Sequence, residues 1–166
     1  MLYKSTYNSP LGKITMASEC ENLIGLWIEG QKYFLSSIKS EMTTNDNLPI
    51  FINTKSWLDK YFSGKQPKIT EIPLAPRGTE FQKAVWEILC KIPYGQTTTY
   101  GKIAQQIAKQ FGKEKMSAQA VGGAVGHNPI SIIIPCHRVI GSNGNLTGYA
   151  GGIDKKTKLL KLEKAI

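Results

Sequence analysis

The residues of this 166-residue chain best suited to chemistry are Cys136 and His137, set in Ile134-Pro135-Cys136-His137-Arg138. A thiolate is a soft nucleophile, and a free cysteine is only a few per cent ionised at about neutral pH. A histidine base, itself oriented by a carboxylate, raises the reactive fraction. The preceding run, Ile130-Ser131-Ile132-Ile133-Ile134, is short and β-branched and reads as a buried strand that Pro135 stops. Neighbours on an extended segment point to opposite sides, so His137 should not touch the Cys136 sulfur directly. A bridging water, or a sharp turn after Pro135, is needed. The plainer reading, a packed thiol beside a surface histidine, leaves the agreement of the flanking residues unexplained.

The carboxylate is sought further on. Leu159, Leu160 and Glu163 share one face of a C-terminal helix. A carboxylate on an apolar face is costly unless paired. Only two histidines exist, His127 and His137, and His137 is the natural partner. These residues predict a relay Glu163–His137–water–Cys136, with Asn128 bracing the backbone.

Around this constellation the chain divides in two. The first part reads as a β-meander, with strands over 2–7, 13–17 and 23–28 and turns at Ser9-Pro10-Leu11-Gly12 and Glu21-Asn22. An amphipathic helix follows, with Ile50, Phe51, Thr54, Trp57, Leu58, Tyr61 and Phe62 at 3.6-residue spacing and Gly64 as its stop. Pro67, Pro73, Pro76 and Gly78 mark a boundary, giving an α/β domain over 1–76 and a mostly helical domain over 77–166.

In the second domain, Thr79 caps a helix carrying Phe81, Ala84, Val85, Ile88 and Leu89. Thr98 or Thr99 caps the next, with Tyr100, Ile103, Ala104, Ile107 and Ala108 on one face. A turn around Gly112 and Ser117 leads to a third helix over 118–125, and Asp154 is expected to cap the last. The middle pair resembles a helix-turn-helix with a lengthened turn. Gly122 and Gly123 inside the third helix cost roughly 1 kcal/mol each relative to alanine. Such thinness suits close approach, by a neighbouring element or by a nucleic-acid backbone, and the basic surroundings favour the latter.

Composition sets the outer limits. The net charge of +9 is uneven: residues 1–76 carry eight lysines against seven acids, and residues 77–166 thirteen lysines and arginines against five acids. A basic C-terminal half suggests a polyanionic partner. No run of 18 apolar residues and no signal-peptide layout is present, so neither a membrane span nor export is expected. Three well-separated cysteines, Cys20, Cys90 and Cys136, suit a reducing cytoplasm and argue against disulfides or a metal site. Buried packing is expected for Cys20 and Cys90.

Together, Ile134-Pro135-Cys136-His137-Arg138-Val139, with Ala120-Val121-Gly122-Gly123-Ala124 and Asn128-Pro129 before it and Gly148-Tyr149-Ala150-Gly151-Gly152 after it, resemble the O6-alkylguanine-DNA alkyltransferases. The resemblance runs in order from Phe81 to Glu163. It implies an α+β architecture: a ribonuclease H-like sheet-plus-helix domain, then a helical domain with a winged-helix-like helix-turn-helix. It implies irreversible, once-only transfer of an alkyl group from guanine O6 in double-stranded DNA to Cys136, with O4-alkylthymine as a further candidate substrate. The damaged nucleotide would be flipped out while the helix-turn-helix occupies the minor groove. His137 would be the water-mediated base, Glu163 its orienter, Asn128 a structural hinge and Tyr100 the proton donor to the guanine ring.

Backbone groups of Cys136 and Val139, with Tyr149, Ala150 and Gly151, would line the base pocket. Thr99, Gln119, Ala120, Gly122, Gly123 and Arg138 would contact DNA. Many members of that family carry an arginine where this chain has Gln119, which can fill the gap in the stack without bringing charge. No cofactor and no metal are implied, and a cytoplasmic monomer is expected. Three other readings compete: a non-catalytic damage sensor, which would lack the acceptor cysteine; a cysteine hydrolase, which would turn over; and a regulator, which would need side chains able to read the major groove.

Overall fold

The computed structural model describes all residues, Met1–Ile166, and they form two compact units. The first comprises Met1–Arg77 with Pro129–Ser131, and the second Gly78–Asn128 with Ile132–Ile166. No helix is long and apolar enough to cross a membrane.

In the first unit, β1 (Leu2–Ser9), β2 (Gly12–Glu19) and β3 (Asn22–Ile28) form an antiparallel meander. β4 (Thr43–Thr44) adds to β1 in parallel, giving the order β3-β2-β1-β4. Gly12, at φ 112°, makes the first turn in a region that residues with a Cβ avoid. Leu23 to Ile28 are all buried, so β3 is covered on both faces. Leu2, Ala17, Ile24 and Trp27 form one core cluster, with Leu35, Ile38, Met42 and Ala75 against it. The helix expected after the meander is α1 (Pro49–Phe62), which packs on β1 and β2.

The second unit begins with α2 (Glu80–Cys90), entered through a capping box in which Thr79 Oγ1 accepts from Gln82 N and Gln82 Oε1 accepts from Thr79 N. A short β5 (Thr98–Thr99) leads into α3 (Tyr100–Gln110), and α4 (Ala118–Gly126) follows. Thr99 and Ser117 supply their caps. Trp86 Nε1 donates to the Ala124 carbonyl at 2.8 Å and ties α2 to α4. β6 (Val139–Ile140) pairs with β5 in parallel, and α5 (Ile153–Leu162) closes the chain.

Three local expectations change. The run from Ile130 to Ile134 is not a strand: Ile130 makes a single bridge to Leu26, and the chain then turns through Ile132 at φ 70°. Asp154 lies inside the first turn of α5, whose cap position is Gly152 at φ 97°. Cys20 is exposed, in the β2–β3 turn at φ 54°, and Cys90 is only half-buried.

Gly25 shows how tightly β3 is packed. A Cβ there would sit 1.9 Å from the Trp27 ring, so the indole occupies the space the missing side chain leaves. Gly25→Ala should therefore cost about 1–3 kcal/mol, the range for overpacking a core, read as a lower urea midpoint. An unchanged midpoint would mean the indole relocates freely.

Candidate active site

Cys136, His137 and Arg138 form a single 3₁₀ turn after Pro135, and all three are buried. This sharp turn, rather than an extended segment, brings the thiol and the imidazole to the same part of the second unit. It also collects donors around the sulfur. The backbone N–H groups of Cys136 and His137 and the Asn128 side chain stabilise its anionic form, as does the charge of Lys156. Burial outweighs them and pushes the Cys136 thiol up. The turn thus surrounds a buried thiol with groups suited to its anion.

Asn128 also donates from Nδ2 to the Ile134 carbonyl at 2.8 Å, linking the end of α4 to the residue before Pro135. His137 is fully buried, and Glu163 nearly so. His137 Nε2 and Glu163 Oε2 are 2.6 Å apart. Burial lowers the His137 pKa against the pull of Glu163. The neutral ring therefore carries its proton on Nε2, facing the carboxylate, and Nδ1 is an acceptor. Nδ1 is itself buried, with no partner in the protein.

Glu163 has other partners that the sequence did not reveal. Arg138 donates from Nε to Oε1 at 2.8 Å and from Nη2 to Oε2 at 3.1 Å, and Gly95 N approaches Oε1 at 3.4 Å. Despite burial, the bonds from His137 and then Arg138 hold the carboxyl at about 2, against its ordinary 4.5. Arg138 Nη1 donates to the Ile92 carbonyl at 2.6 Å, and the guanidinium lies over the Tyr94 ring. Arg138, expected to contact DNA, is thus turned inward and committed to Glu163. A side chain only 8 % exposed, with its donors already engaged, is not placed to contact a phosphate.

Lys156 is a second missed residue. Its side chain is fully buried on a helix whose Lys158 and Lys161 are exposed, and its ammonium donates to the carbonyls of Val139 and Thr147. Burial draws it down to about 8. Those two carbonyls bracket the turn around Gly144, so one cation closes that segment beside the thiol.

Tyr100 is partly buried, and its hydroxyl donates to the Thr147 carbonyl at 3.1 Å. It lies close enough to Cys136 to sense a charge there. Tyr149 is buried near both Cys136 and Glu163, with no partner for its hydroxyl in the protein. A Cβ on Gly151 would come within 2.6 Å of the Tyr149 ring, which explains the glycine, and Ala150 is half-buried beside it. Val139 is fully buried.

On α4, Gln119, Ala120 and Gly123 face outward while Val121, Ala124 and Val125 form the packed side. A Cβ on Gly122 would make ordinary contact with Tyr100 at 3.8 Å, and one on Gly123 would meet nothing. Packing within the fold therefore does not require Gly123. Thr99 caps α3 by accepting from Lys102 N at 3.2 Å. Cys90 is a poor rival nucleophile, since burial and then Glu87 push its thiol to about 11.

A buried thiol, a histidine–carboxylate pair and a helix-turn-helix within one unit define a thiol-acceptor protein. Family models give the particular kind. Residues 80–165 match the 6-O-methylguanine DNA methyltransferase DNA binding domain, and residues 2–76 match the ribonuclease-like domain of the same family. The chain belongs to the 6-O-methylguanine DNA methyltransferase family.

Among its relatives, the methylated-DNA–protein-cysteine methyltransferase of Methanosarcina acetivorans is 46% identical, over 98% of each chain. That of Haemophilus influenzae is 40% identical, over 98% of this chain and 87% of the relative. Among solved structures, Mycobacterium tuberculosis OGT in complex with DNA superposes with a TM-score of 0.85 at 42% identity, covering 98% of this chain and 93% of the other.

Replacing Glu163 by Gln leaves the Arg138 charge buried without its counterion, and should cost about 3–5 kcal/mol. A carboxyl held at about 2 contributes its stability fully above 4.5 and loses it as pH falls toward 2. The gap in denaturant midpoint between wild type and Glu163→Gln should therefore be full at neutral pH and close across that acid window. A gap independent of pH would contradict the ionised assignment.

Proposed function

We propose that this chain repairs DNA by moving an alkyl group from guanine O6 to the Cys136 sulfur. The observation that carries this reading is the buried Cys136 thiol, surrounded by groups that stabilise its anion and set in the same turn as His137, whose Nδ1 has no partner in the protein. In the step envisaged, the thiol proton passes through a water to His137 Nδ1, and the sulfur attacks the saturated carbon on O6. A carbon–sulfur bond forms as the carbon–oxygen bond breaks. The departing guanine anion takes a proton at a ring nitrogen from the Tyr100 hydroxyl, which regains one from solvent or the base. Glu163 orients the imidazole, Asn128 fixes the turn that carries the thiol, and Lys156 offsets the charge of the thiolate. The thioether product does not hydrolyse readily, so each molecule acts once.

Reaching a base inside a duplex requires that the nucleotide be flipped out. The outward face of α4 supports a minor-groove approach. Gln119, Ala120 and Gly123 give it almost no bulk, and it offers only one side chain able to read base edges, too few for major-groove specificity. Gln119 would fill the space left in the stack, and Thr99 would contact the backbone. The flipped base would pack beside Tyr149, against backbone groups of Cys136, Val139, Ala150 and Gly151. One chain carries the thiol, the base and the recognition helix, so a monomer suffices, and its free thiols suit the cytoplasm.

Cys136→Ser should abolish transfer of a radiolabelled methyl group from methylated DNA while leaving DNA affinity within about twofold; label on Cys20 or Cys90 would overturn the assignment. Gly123→Ala should leave the fold intact, or stabilise it by up to about 1 kcal/mol, yet weaken DNA binding and slow transfer. Unimpaired binding would mean α4 does not approach the backbone closely. For the wild type, DNA affinity should fall steeply with added salt, and a flat dependence would remove phosphate contact from the account.

A further inference from the structure

A duplex laid against α4 meets no charge on the helix itself. Ala118 to Gly126 holds only alanine, valine, glycine and Gln119. Past the C-cap at His127, the next permanent charge in the chain is Arg138, turned inward on Glu163. Yet affinity for DNA comes mostly from neutralising phosphates, and phosphate contacts also fix a protein's register on the duplex. The neutralising charge must therefore come from residues beside α4. Nearest in the chain are Lys113 and Lys115, in the turn between α3 and α4.

That turn is long and firmly held at both ends. Residues 111–117 join the two helices, where about 3–4 residues are usual in this motif. Its start is a Schellman closure: Gly112, at φ 66°, donates from N to the Lys109 carbonyl at 3.3 Å, and Lys113 N donates to the Ala108 carbonyl at 2.8 Å. The Phe111 ring packs against Phe81 of α2, with centroids 6.5 Å apart. Its end is the Ser117 cap of α4, which accepts from Ala120 N at 3.2 Å. Between these fixed points Lys113, Glu114 and Lys115 are exposed.

Charge around the turn is left unbalanced. From Thr98 to Asn128 the chain carries Lys102, Lys109, Lys113 and Lys115 against Glu114 alone. None of these lysines forms an ion pair. On α2, by contrast, Lys83 shares a helix face with Glu80 and Glu87, and Lys91 follows Glu87 by one turn. Solubility alone does not call for such segregation of charge; a polyanionic partner does.

We infer that Lys113 and Lys115 are contacts to backbone phosphates, and that the lengthened α3–α4 turn is the electrostatic clamp holding duplex DNA across the uncharged face of α4. The inference rests on the repair reading, which places α4 against the duplex. The clamp reads no sequence and takes no part in the transfer step. It supplies the grip that Gln119, filling the stack without charge, does not.

The test is the affinity of the full chain, across a salt series, for a duplex containing O6-methylguanine and for the same duplex with plain guanine. Lys113→Gln combined with Lys115→Gln should reduce the slope of log affinity against log salt by about 1.8, at roughly 0.9 per phosphate contact. The pair should weaken binding of both duplexes by the same factor, and methyl transfer at saturating DNA should keep its wild-type rate. Lys113→Arg combined with Lys115→Arg should keep the wild-type slope. So should Lys83→Gln combined with Lys91→Gln, which removes the same charge from α2.

An unchanged slope in the Lys113 and Lys115 glutamine pair would refute the inference. So would an equal loss in the α2 pair, the result expected of net charge alone, or a slope lost in the arginine pair. Failure of the repair reading is separable: the predicted change of slope, with no methyl transfer by the wild-type chain, would sink that reading and leave the clamp standing.

Discussion

A buried carboxylate governs the second unit of this protein. Glu163 stands at the C-terminal end of α5, almost without solvent, and satisfies both oxygens through residues more than twenty positions away in sequence. Its ionisation fixes the tautomer of His137, anchors Arg138 and ties the turn at Gly95 to the end of α5. A charge in such a place is destabilising by several kcal/mol unless it is fully paired. The geometry of the Cys136–Arg138 turn is therefore constrained by the same bonds that set its protonation state.

The nucleophile obeys a complementary constraint. Burial pushes the Cys136 thiol up, whereas two backbone N–H groups, Asn128 and Lys156 favour its anion. These groups are preorganised and need not move when the proton leaves, which is how electrostatic stabilisation is most effective. Lys156 joins this arrangement to the substrate side, because its ammonium also gathers the Val139 and Thr147 carbonyls, and Thr147 in turn receives the Tyr100 hydroxyl. Pocket segment and tyrosine thus share one hydrogen-bonded assembly, and the Lys156 ammonium reaches the thiol through charge.

Much of this could be read from residue types. The caps at Thr79, Thr99 and Ser117 and the three-stranded meander follow from local turn and capping chemistry, and the pairing of His137 with Glu163 followed from the cost of a carboxylate on an apolar face. What was not legible has physical reasons. Ile130 to Ile134 has the composition of a strand, but its path depends on a single bridge at Ile130 and on the left-handed conformation of Ile132. Arg138 looked like a surface cation because its counterion is distant in sequence. Lys156 was hidden among Lys155, Lys158, Lys161 and Lys164, and only the helix phase separates it from them.

The family to which the chain belongs and the once-only transfer proposed for it converge on a single covalent outcome. The most direct measurement is peptide mass spectrometry after incubation with a duplex containing O6-methylguanine in excess. The account predicts one methyl group per chain, confined to the peptide bearing Cys136, with no further gain on longer incubation. Continued release of demethylated guanine without modification of the protein, or a methyl group on any other residue, would contradict it.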